Sequence, residues 1–414
     1  MVSFENLLAA RPDEWGRAAD TWAALARESE DAANGIFERG SAKVAENWTD
    51  QVGAEAGAKL DALANSYLTA AGTMHGVVSI LYGLDDSIGP IRRSLESAVD
   101  YARRNGFTVE ADGRVTAPAG STAPPEALRE ADALIREALD SATRIDVEAR
   151  NQLDELAAAV FNTDRDWAVD HVQADASRSQ VELLAEALPI GQDPATVAAW
   201  WNALPPQDRA AFERAVPVEL YDLPGLPEDV KNRLEGDGGY NRVEAVRWAQ
   251  QNAFNRDIDI FDNNCANFVS YALSTAGLAP KLDDFGGAYQ DGWSQGVQTG
   301  WDALDARDYT HTPAWTVSDR QRDFFLENGG SEIPLSGAQP GDVIYWEQAA
   351  PGGPIAEGGV HHAAVVTSVT PDGDVHYTQH TASRLDASLD GRLPTNEVVE
   401  GDQRVVIVRP RQSW

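Results

Sequence analysis

The spacing of hydrophobic residues changes once along this chain of 414 residues. Before residue 235, apolar side chains recur every three or four positions, as in Trp15, Ala18 and Trp22, which predicts amphipathic helices. After Tyr240, short apolar runs appear, which predict β-strands. The predicted strands cover residues 342–346, 362–369, 375–379 and 405–408. We therefore expect an α+β protein, with an all-α helical bundle at the amino terminus and a mixed α+β domain at the carboxyl terminus.

Turn-forming residues suggest how the chain is divided. Pro, Ala, Ser and Gly dominate residues 117–125, and three breaks that contain Pro interrupt residues 189–227. We predict three domains from these breaks and from the change near Tyr240. They are a helical domain at 1–120, a helical connector at 121–237 and a mixed domain at 238–414.

Local signals place individual elements inside these domains. Gly89-Pro90 predicts a kink or break in a long helix, and Asn105-Gly106 predicts its end. Residues 107–115 predict a β-hairpin with an Asp-Gly turn. Further helices are predicted at 126–160, 194–203, 206–215, 242–254 and 265–276.

The chain is strongly acidic, with 66 Asp and Glu against 33 Lys and Arg and a formal net charge of −33. Such a surface repels phosphate, so we expect binding neither to nucleic acid nor to anionic membranes. No apolar run approaches 18 residues, so we expect no membrane span. The first residues lack a basic segment and a long apolar segment, which argues against a conventional signal peptide.

Cys265 is the one cysteine of the chain, which excludes an internal disulfide and a multi-cysteine metal site. Nor do the seven histidines combine with carboxylates at ligand spacing, so we expect neither metal nor cofactor. Polar residues precede Cys265, and Phe268 and Val269 follow at helical spacing, which predicts a sulfur at a helix amino terminus. Cys265 is therefore either a small buried hydrophobe or a nucleophile.

A base for such a nucleophile is available in the later strands. His362 begins the apolar strand that continues through Ala363, and the preceding His361 is the alternative base. Gln379 and His380 end the next predicted strand, and strand alternation lets only one of them face the same cleft. A nucleophile, a base and a group that orients the base form the arrangement required for thiol catalysis.

Five sequence blocks in this order resemble a bacterial amidase domain family related to the CHAP and NlpC-type cell-wall hydrolases. The blocks are 240–249, Cys265-Ala266-Asn267-Phe268-Val269-Ser270, 341–344, 362–367 and 379–381. The resemblance covers about residues 238–412 and implies a papain-like fold.

The resemblance also implies roles for individual residues. Cys265 matches the nucleophile, His362 matches the general base, and His380 resembles the orienting residue, with Gln379 as the neighbouring option. It further implies that the backbone N–H of Cys265 binds the oxyanion, with side-chain help from Asn264 or Asn267. The simpler interpretation of Asn267 is a residue of the helix surface or of the packing.

Aromatic residues between the two motifs either line a substrate groove or pack in the core, and the sequence favours the core for most of them. They are Trp293, Trp301, Trp315, Phe324 and Phe325.

The amino-terminal region resembles the helical hairpins of type VII secretion substrates of the WXG class. Trp48-Thr49 resembles the turn between two helices, and Tyr82 with Asp86 fits a Tyr-x-x-x-Asp export signal. The Pro-containing stretch 193–227 resembles a connector of large secreted proteins of this type. The resemblance implies cytoplasmic synthesis, export without a signal peptide, and docking of residues 1–120 on a secretion apparatus.

These observations lead to one main hypothesis and two alternatives. The main one is a cysteine hydrolase that cleaves amide bonds of peptidoglycan stem peptides or cross-links. One alternative is a papain-like effector or toxin that acts on a protein of a target cell. The other is a catalytically silent protein that docks on a secretion apparatus.

Overall fold

The computed structural model describes residues 1–159, 176–281, 292–295, 311–351, 355–389 and 403–414. Two compact units are present. The first consists of Met1–Ala210 with Leu223–Leu226, and the second consists of Ala211–Asp222 with Pro227–Trp414. Over its described residues the first unit is helical apart from one short hairpin, and the second combines helices with a sheet. The mixed class with a helical amino-terminal region is thus confirmed. The three predicted domains stay a prediction.

The first unit is built on two long neighbouring helices. Its helices are α1 (Phe4–Ala9), α2 (Pro12–Ile36), α3 (Ala42–Asn47), α4 (Gln51–Arg104), α5 (Pro125–Ala159), α6 (Ser179–Glu186) and α7 (Pro194–Ala203). A π-helical turn, Phe37–Ser41, precedes α3, and a 3₁₀ turn, Ala176–Arg178, precedes α6. Helix α2 runs antiparallel to α4, since Glu30 bonds His75 at 2.8 Å and the Tyr82 hydroxyl donates to Asp20 at 2.7 Å.

Helix α4 continues for 54 residues through Pro90, so of the kink or break predicted at Gly89-Pro90 the break is wrong and the kink stays a prediction. A proline inside a helix removes one hydrogen bond and costs about 3 kcal/mol. Here Ile88, Pro90 and Ile91 are all buried, and this packing outweighs the local cost. The predicted end is confirmed, because α4 stops at Arg104.

The predicted hairpin after α4 is also confirmed. Strands β1 (Thr108–Val109) and β2 (Val115–Thr116) pair antiparallel. Gly113 between them has a φ of +87°, a conformation that favours glycine.

Helix α8 (Pro206–Ala215) begins in the first unit and ends in the second. The second unit continues with α9 (Pro217–Asp222), α10 (Glu228–Glu235), α11 (Arg242–Asn252), a 3₁₀ turn (Arg256–Ile258), α12 (Cys265–Thr275), α13 (Pro313–Thr316) and α14 (Ser318–Glu327). Its strands are β3 (Ser331–Ile333), β4 (Val343–Gln348), β5 (Val360–Val369), β6 (Val375–Gln379), β7 (Arg384–Ser388) and β8 (Gln403–Arg409). The four predicted strands correspond to β4, β5, β6 and β8, whereas β3 and β7 were not predicted.

The strands form an antiparallel sheet in the order β3-β8-β4-β5-β6-β7. Helices α11, α12 and α14 pack on one face, where Phe268 and Phe325 meet Val365 and Val408 in a buried core. The side chains that alternate with these along the strands, among them Trp346 and Val366, form a second core on the opposite face of the sheet. This arrangement brings the start of α12 close to β5 at the centre of the sheet.

Candidate active site

Cys265 is the first residue of α12 and is only 3% exposed. The helix is held on the sheet because Phe268, Val269, Ala272 and Leu273 are buried in the core that it shares with β5. The predicted helix start is thus confirmed. The sulfur lies at the positive end of the helix macrodipole, which favours a thiolate.

A β-bulge places His362. Trp346 of β4 pairs with His362, but Glu347 pairs with Val360, so His361 is the additional residue of β5 at this point. A bulge redirects side chains locally, and such irregularities are frequent beside active sites. The Trp346 ring packs against the His362 imidazole at a centroid distance of 5.2 Å.

Gln379 fixes the orientation of His362. The carboxamide nitrogen of Gln379 donates to the Ala382 carbonyl at 2.7 Å, which turns its oxygen toward the imidazole. That oxygen lies 2.8 Å from His362 Nε2, which therefore carries the proton and donates. Nδ1 of the same ring then remains for the interaction with Cys265.

The surroundings of Cys265 lower the pKa of its thiol to about 7. Burial by itself raises this pKa, since it disfavours the charged thiolate. The positive charge of His362 and a hydrogen bond from its ring lower the pKa, as do hydrogen bonds from Ser318 and the Ala363 N–H. The result is a thiol that ionises near neutral pH, as a nucleophile requires.

Both ring nitrogens of His380 bond a different part of the unit. Its Nδ1 lies 2.8 Å from the Ala253 carbonyl, and its Nε2 lies 2.6 Å from an Asp259 carboxylate oxygen. The ring is stacked on Phe268 and is almost fully buried. Of the two residues considered for orienting the base, the structure therefore places Gln379, and not His380, against His362.

The two asparagines proposed for the oxyanion site bond other groups. The Asn264 carboxamide accepts from the backbone N–H groups of Ile260 and Phe261, and so shapes the loop before the cysteine. Asn267 is fully buried, donates to the Ile258 carbonyl at 3.0 Å and accepts from the Trp315 indole at 2.9 Å. Both amides therefore stabilise the loop and the helix that carry Cys265.

The backbone N–H of Cys265 stays a candidate oxyanion donor. Its partner in the structure is the side-chain oxygen of Asn263, at a distance of 3.4 Å. This is a long hydrogen bond to an exposed side chain, which a substrate oxygen can displace.

Two residues of α14 complete the surroundings of Cys265, and sequence reasoning did not single them out. The Ser318 hydroxyl lies 3.2 Å from Cys265 Sγ. Gln321 donates to the Ala266 carbonyl at 2.8 Å and to the Ser270 hydroxyl at 2.7 Å. The sequence analysis named only aromatic residues in this stretch, so the helix that Ser318 begins was not predicted.

The aromatic residues between the motifs belong to the core. Trp293, Trp315, Phe324 and Phe325 are each at most 4% exposed, which supports the core interpretation and not a groove. Trp301 lies outside the described residues.

Neither a metal site nor a membrane helix is found in the parts of the chain that the structure describes. Over those residues, no group of three or more His, Cys, Asp or Glu side chains is arranged to hold a metal ion. Over the same residues, no helix combines the length and the apolar character needed to cross a membrane.

The thiol of Cys265, the imidazole of His362 and the carboxamide of Gln379 form one connected group on an antiparallel sheet. A family model described as "Putative amidase domain" matches residues 239–402, which lie within the second unit. The match supports a carboxyl-terminal amidase domain and hydrolysis of amide bonds. Neither the curated proteins nor the solved structures contain a match to this chain.

Proposed function

We propose that the second unit is a papain-like cysteine amidase with Cys265 as nucleophile and His362 as general base. The observation that carries the proposal is that one imidazole interacts with the Cys265 thiol and bonds Gln379 through Nε2. This geometry gives the ring one nitrogen for proton transfer and fixes the other as a donor. The lowered thiol pKa and the amidase-family match support the same assignment.

The proposed reaction is acyl transfer through a thioester. The Cys265 thiolate attacks the amide carbonyl carbon, and a C–S bond forms while charge develops on the carbonyl oxygen. The Cys265 N–H donates to that oxygen. The His362 imidazolium then gives its Nδ1 proton to the leaving nitrogen as the C–N bond breaks.

Water completes the cycle. His362 takes a proton from water, the resulting hydroxide attacks the thioester, and the C–S bond breaks to release a carboxylic acid. Gln379 holds the Nε2 proton throughout, so the ring can cycle its Nδ1 proton without rotating.

Peptidoglycan stem peptides or cross-links are the proposed substrate, on the basis of the resemblance to cell-wall hydrolases. We also propose that the first unit supports export without a signal peptide and docks on a secretion apparatus. The long α2–α4 hairpin supports this, together with Trp48 at the turn and the Asp50 side chain that caps α4 through the Gly53 N–H at 2.9 Å.

The two adjacent histidines give a matched test of the site. Purified peptidoglycan is digested with the wild type, Cys265→Ala, His362→Ala and His361→Ala, and the products are analysed by mass spectrometry. We expect Cys265→Ala and His362→Ala each to lower the release of amide-cleavage products by at least about 1000-fold, because a nucleophile and its base depend on each other and the loss of either one disables both. His361→Ala should retain most of the activity.

Equal release by the wild type and Cys265→Ala would refute the nucleophile. If His361→Ala loses the activity and His362→Ala retains it, His361 is the base. Growth arrest without wall damage on expression in a foreign cytoplasm would instead favour a protein substrate inside the target cell. A Cys265 that does not react with an alkylating agent in the folded protein would favour a silent docking protein.

A further inference from the structure

Ser318 contacts the reacting atom of the proposed site although it lies outside the motifs that identify that site. Its hydroxyl oxygen is 3.2 Å from Cys265 Sγ, a hydrogen-bond distance for sulfur. The residue is 6% exposed, so water does not compete freely for this hydroxyl. Ser318 is separated from Cys265 by 53 positions, and only the fold brings the two together.

A buried network holds Ser318 in this place. Gln321, one turn further along α14, is fully buried and donates to both the Ala266 carbonyl and the Ser270 hydroxyl of α12. Its carboxamide oxygen accepts from the Tyr345 hydroxyl of β4 at 3.1 Å. Because both N–H groups and the oxygen of this amide are hydrogen-bonded, the start of α14 is fixed against the start of α12.

The electrostatics at this contact favour negative charge on sulfur. Cys265 is the first residue of an 11-residue helix, and Ser318 is the first residue of a 10-residue helix. The positive ends of two helix macrodipoles therefore meet at Sγ. A thiolate accepts hydrogen bonds and cannot donate one, so the Ser318 hydroxyl must be the donor once Cys265 ionises.

We propose that Ser318 is a catalytic residue whose hydroxyl donates a hydrogen bond to the Cys265 thiolate and so keeps the nucleophile ionised near neutral pH. The inference rests on the proposed role of Cys265 as nucleophile. The hydroxyl proton stays on Ser318 throughout the reaction. As the C–S bond forms, negative charge leaves the sulfur and this hydrogen bond weakens.

The proposal has a kinetic signature that a purely structural role would not give. Without the hydroxyl, the thiol pKa rises by about one unit, the size expected for a hydrogen bond to a charged group. The thiolate that does form is then more basic, and its nucleophilicity increases about threefold per pKa unit. Ser318→Ala should therefore react more slowly near pH 7 but somewhat faster at high pH.

The test measures the rate of Cys265 alkylation by iodoacetamide as a function of pH, which requires no substrate. The chain has a single cysteine, so the signal belongs to Cys265 alone. The proteins are the full-length wild type, Ser318→Ala, Ser318→Thr and Ser331→Ala, the last being a control at an exposed serine of β3. The thermal unfolding midpoint of each variant shows whether it is folded.

We expect a midpoint near pH 7 for the wild type, Ser318→Thr and Ser331→Ala, and a midpoint about one unit higher for Ser318→Ala. If the midpoint of the alkylation-rate profile of Ser318→Ala equals that of the wild type, the inference is overturned, even if the alkylation rate is lower at every pH. Failure of the proposed function is a separate result, in which the wild type has a low thiol pKa but releases no amide-cleavage products.

Discussion

At the scale of single residues, the carboxamide of Gln379 is fixed at both ends, by the Ala382 carbonyl and by His362 Nε2. A neutral amide in this position orients the imidazole without placing a charge beside it. Its function is therefore geometric, and it should be visible mainly in the turnover number.

We predict that Gln379→Ala lowers kcat by about 10- to 100-fold, because a base displaced by about 1 Å costs roughly that factor. KM should change little, since Gln379 bonds the base and not the substrate. Steady-state kinetics on a defined stem peptide measure both constants, and Gln379→Asn shows whether a shorter amide restores any activity. A KM effect of the same size with unchanged kcat would contradict the orienting role.

Sequence reasoning singled out Cys265 and His362, the proposed nucleophile and base, for a clear physical reason. A polar cap followed by an apolar helical face marks Cys265, and an apolar strand marks His362. Sequence reasoning could not decide between Gln379 and His380, because the register of β6 shifts against both of its neighbouring strands. The shifts occur at Val366/Ser368 in the pairing with β5 and at Tyr377/Gln379 in the pairing with β7. Such shifts disturb the alternation of successive side chains between the two faces of a strand, which was the basis for choosing one of the two residues.

At the scale of elements, the turn between β6 and β7 connects the parts of the site. Three successive side chains each bond a different segment: Gln379 bonds His362, His380 bonds Ala253 and Asp259, and Thr381 bonds the residue before the nucleophile. Thr381 has a φ of 62°, a conformation that is unfavourable for a β-branched residue. This conformation accompanies the 3.1 Å hydrogen bond from the Asn264 N–H to the Thr381 hydroxyl.

We predict that Thr381→Val destabilises the protein by about 1–3 kcal/mol, because the Asn264 N–H loses its acceptor in a buried position. Thr381→Ser keeps the acceptor and removes the branched methyl group, so its stability should equal or exceed that of the wild type. Urea unfolding of the three proteins checks both expectations. A Thr381→Val protein as stable as the wild type would show that the hydrogen bond contributes little.

Element prediction succeeded where local periodicity decides the structure and failed where tertiary contacts do. The helices at 194–203 and 206–215 begin and end where their Pro residues and apolar spacing predict. The continuation of α4 through Pro90 depends on buried neighbours, and β3 and β7 are short strands that form by pairing with β8 and β6. Neither kind of information is contained in a local window of sequence.

At the scale of the whole molecule, the helical first unit and the mixed second unit carry separate proposals. The export proposal concerns Tyr82 and Asp86 of α4, which are bonded within the first unit to Asp20 and Gln180. Because both side chains already serve the fold of this unit, a test of export must also follow folding.

We predict that combined Tyr82→Ala and Asp86→Ala substitution removes most of the protein from the culture medium while leaving its cellular amount unchanged. Tyr67→Ala is the control, since Tyr67 lies on the same helix and is 40% exposed. Immunoblots of medium and cells, with the thermal unfolding midpoint of each purified variant, provide the measurement. Equal secretion of all three proteins would refute the signal.

The chain contributes to the second unit in two stretches, because Ala211–Asp222 belongs to it and Leu223–Leu226 does not. The shorter stretch is bonded to the rest of the unit: Ser368 donates to the Ala215 carbonyl at 2.6 Å, and Arg247 forms two bonds with Asp222. Transplanting the amidase unit into another protein by a single cut at residue 238 would therefore leave α9, α10 and the end of α8 behind, although all three belong to the unit. A transfer that keeps the second unit whole must therefore begin before Ala211.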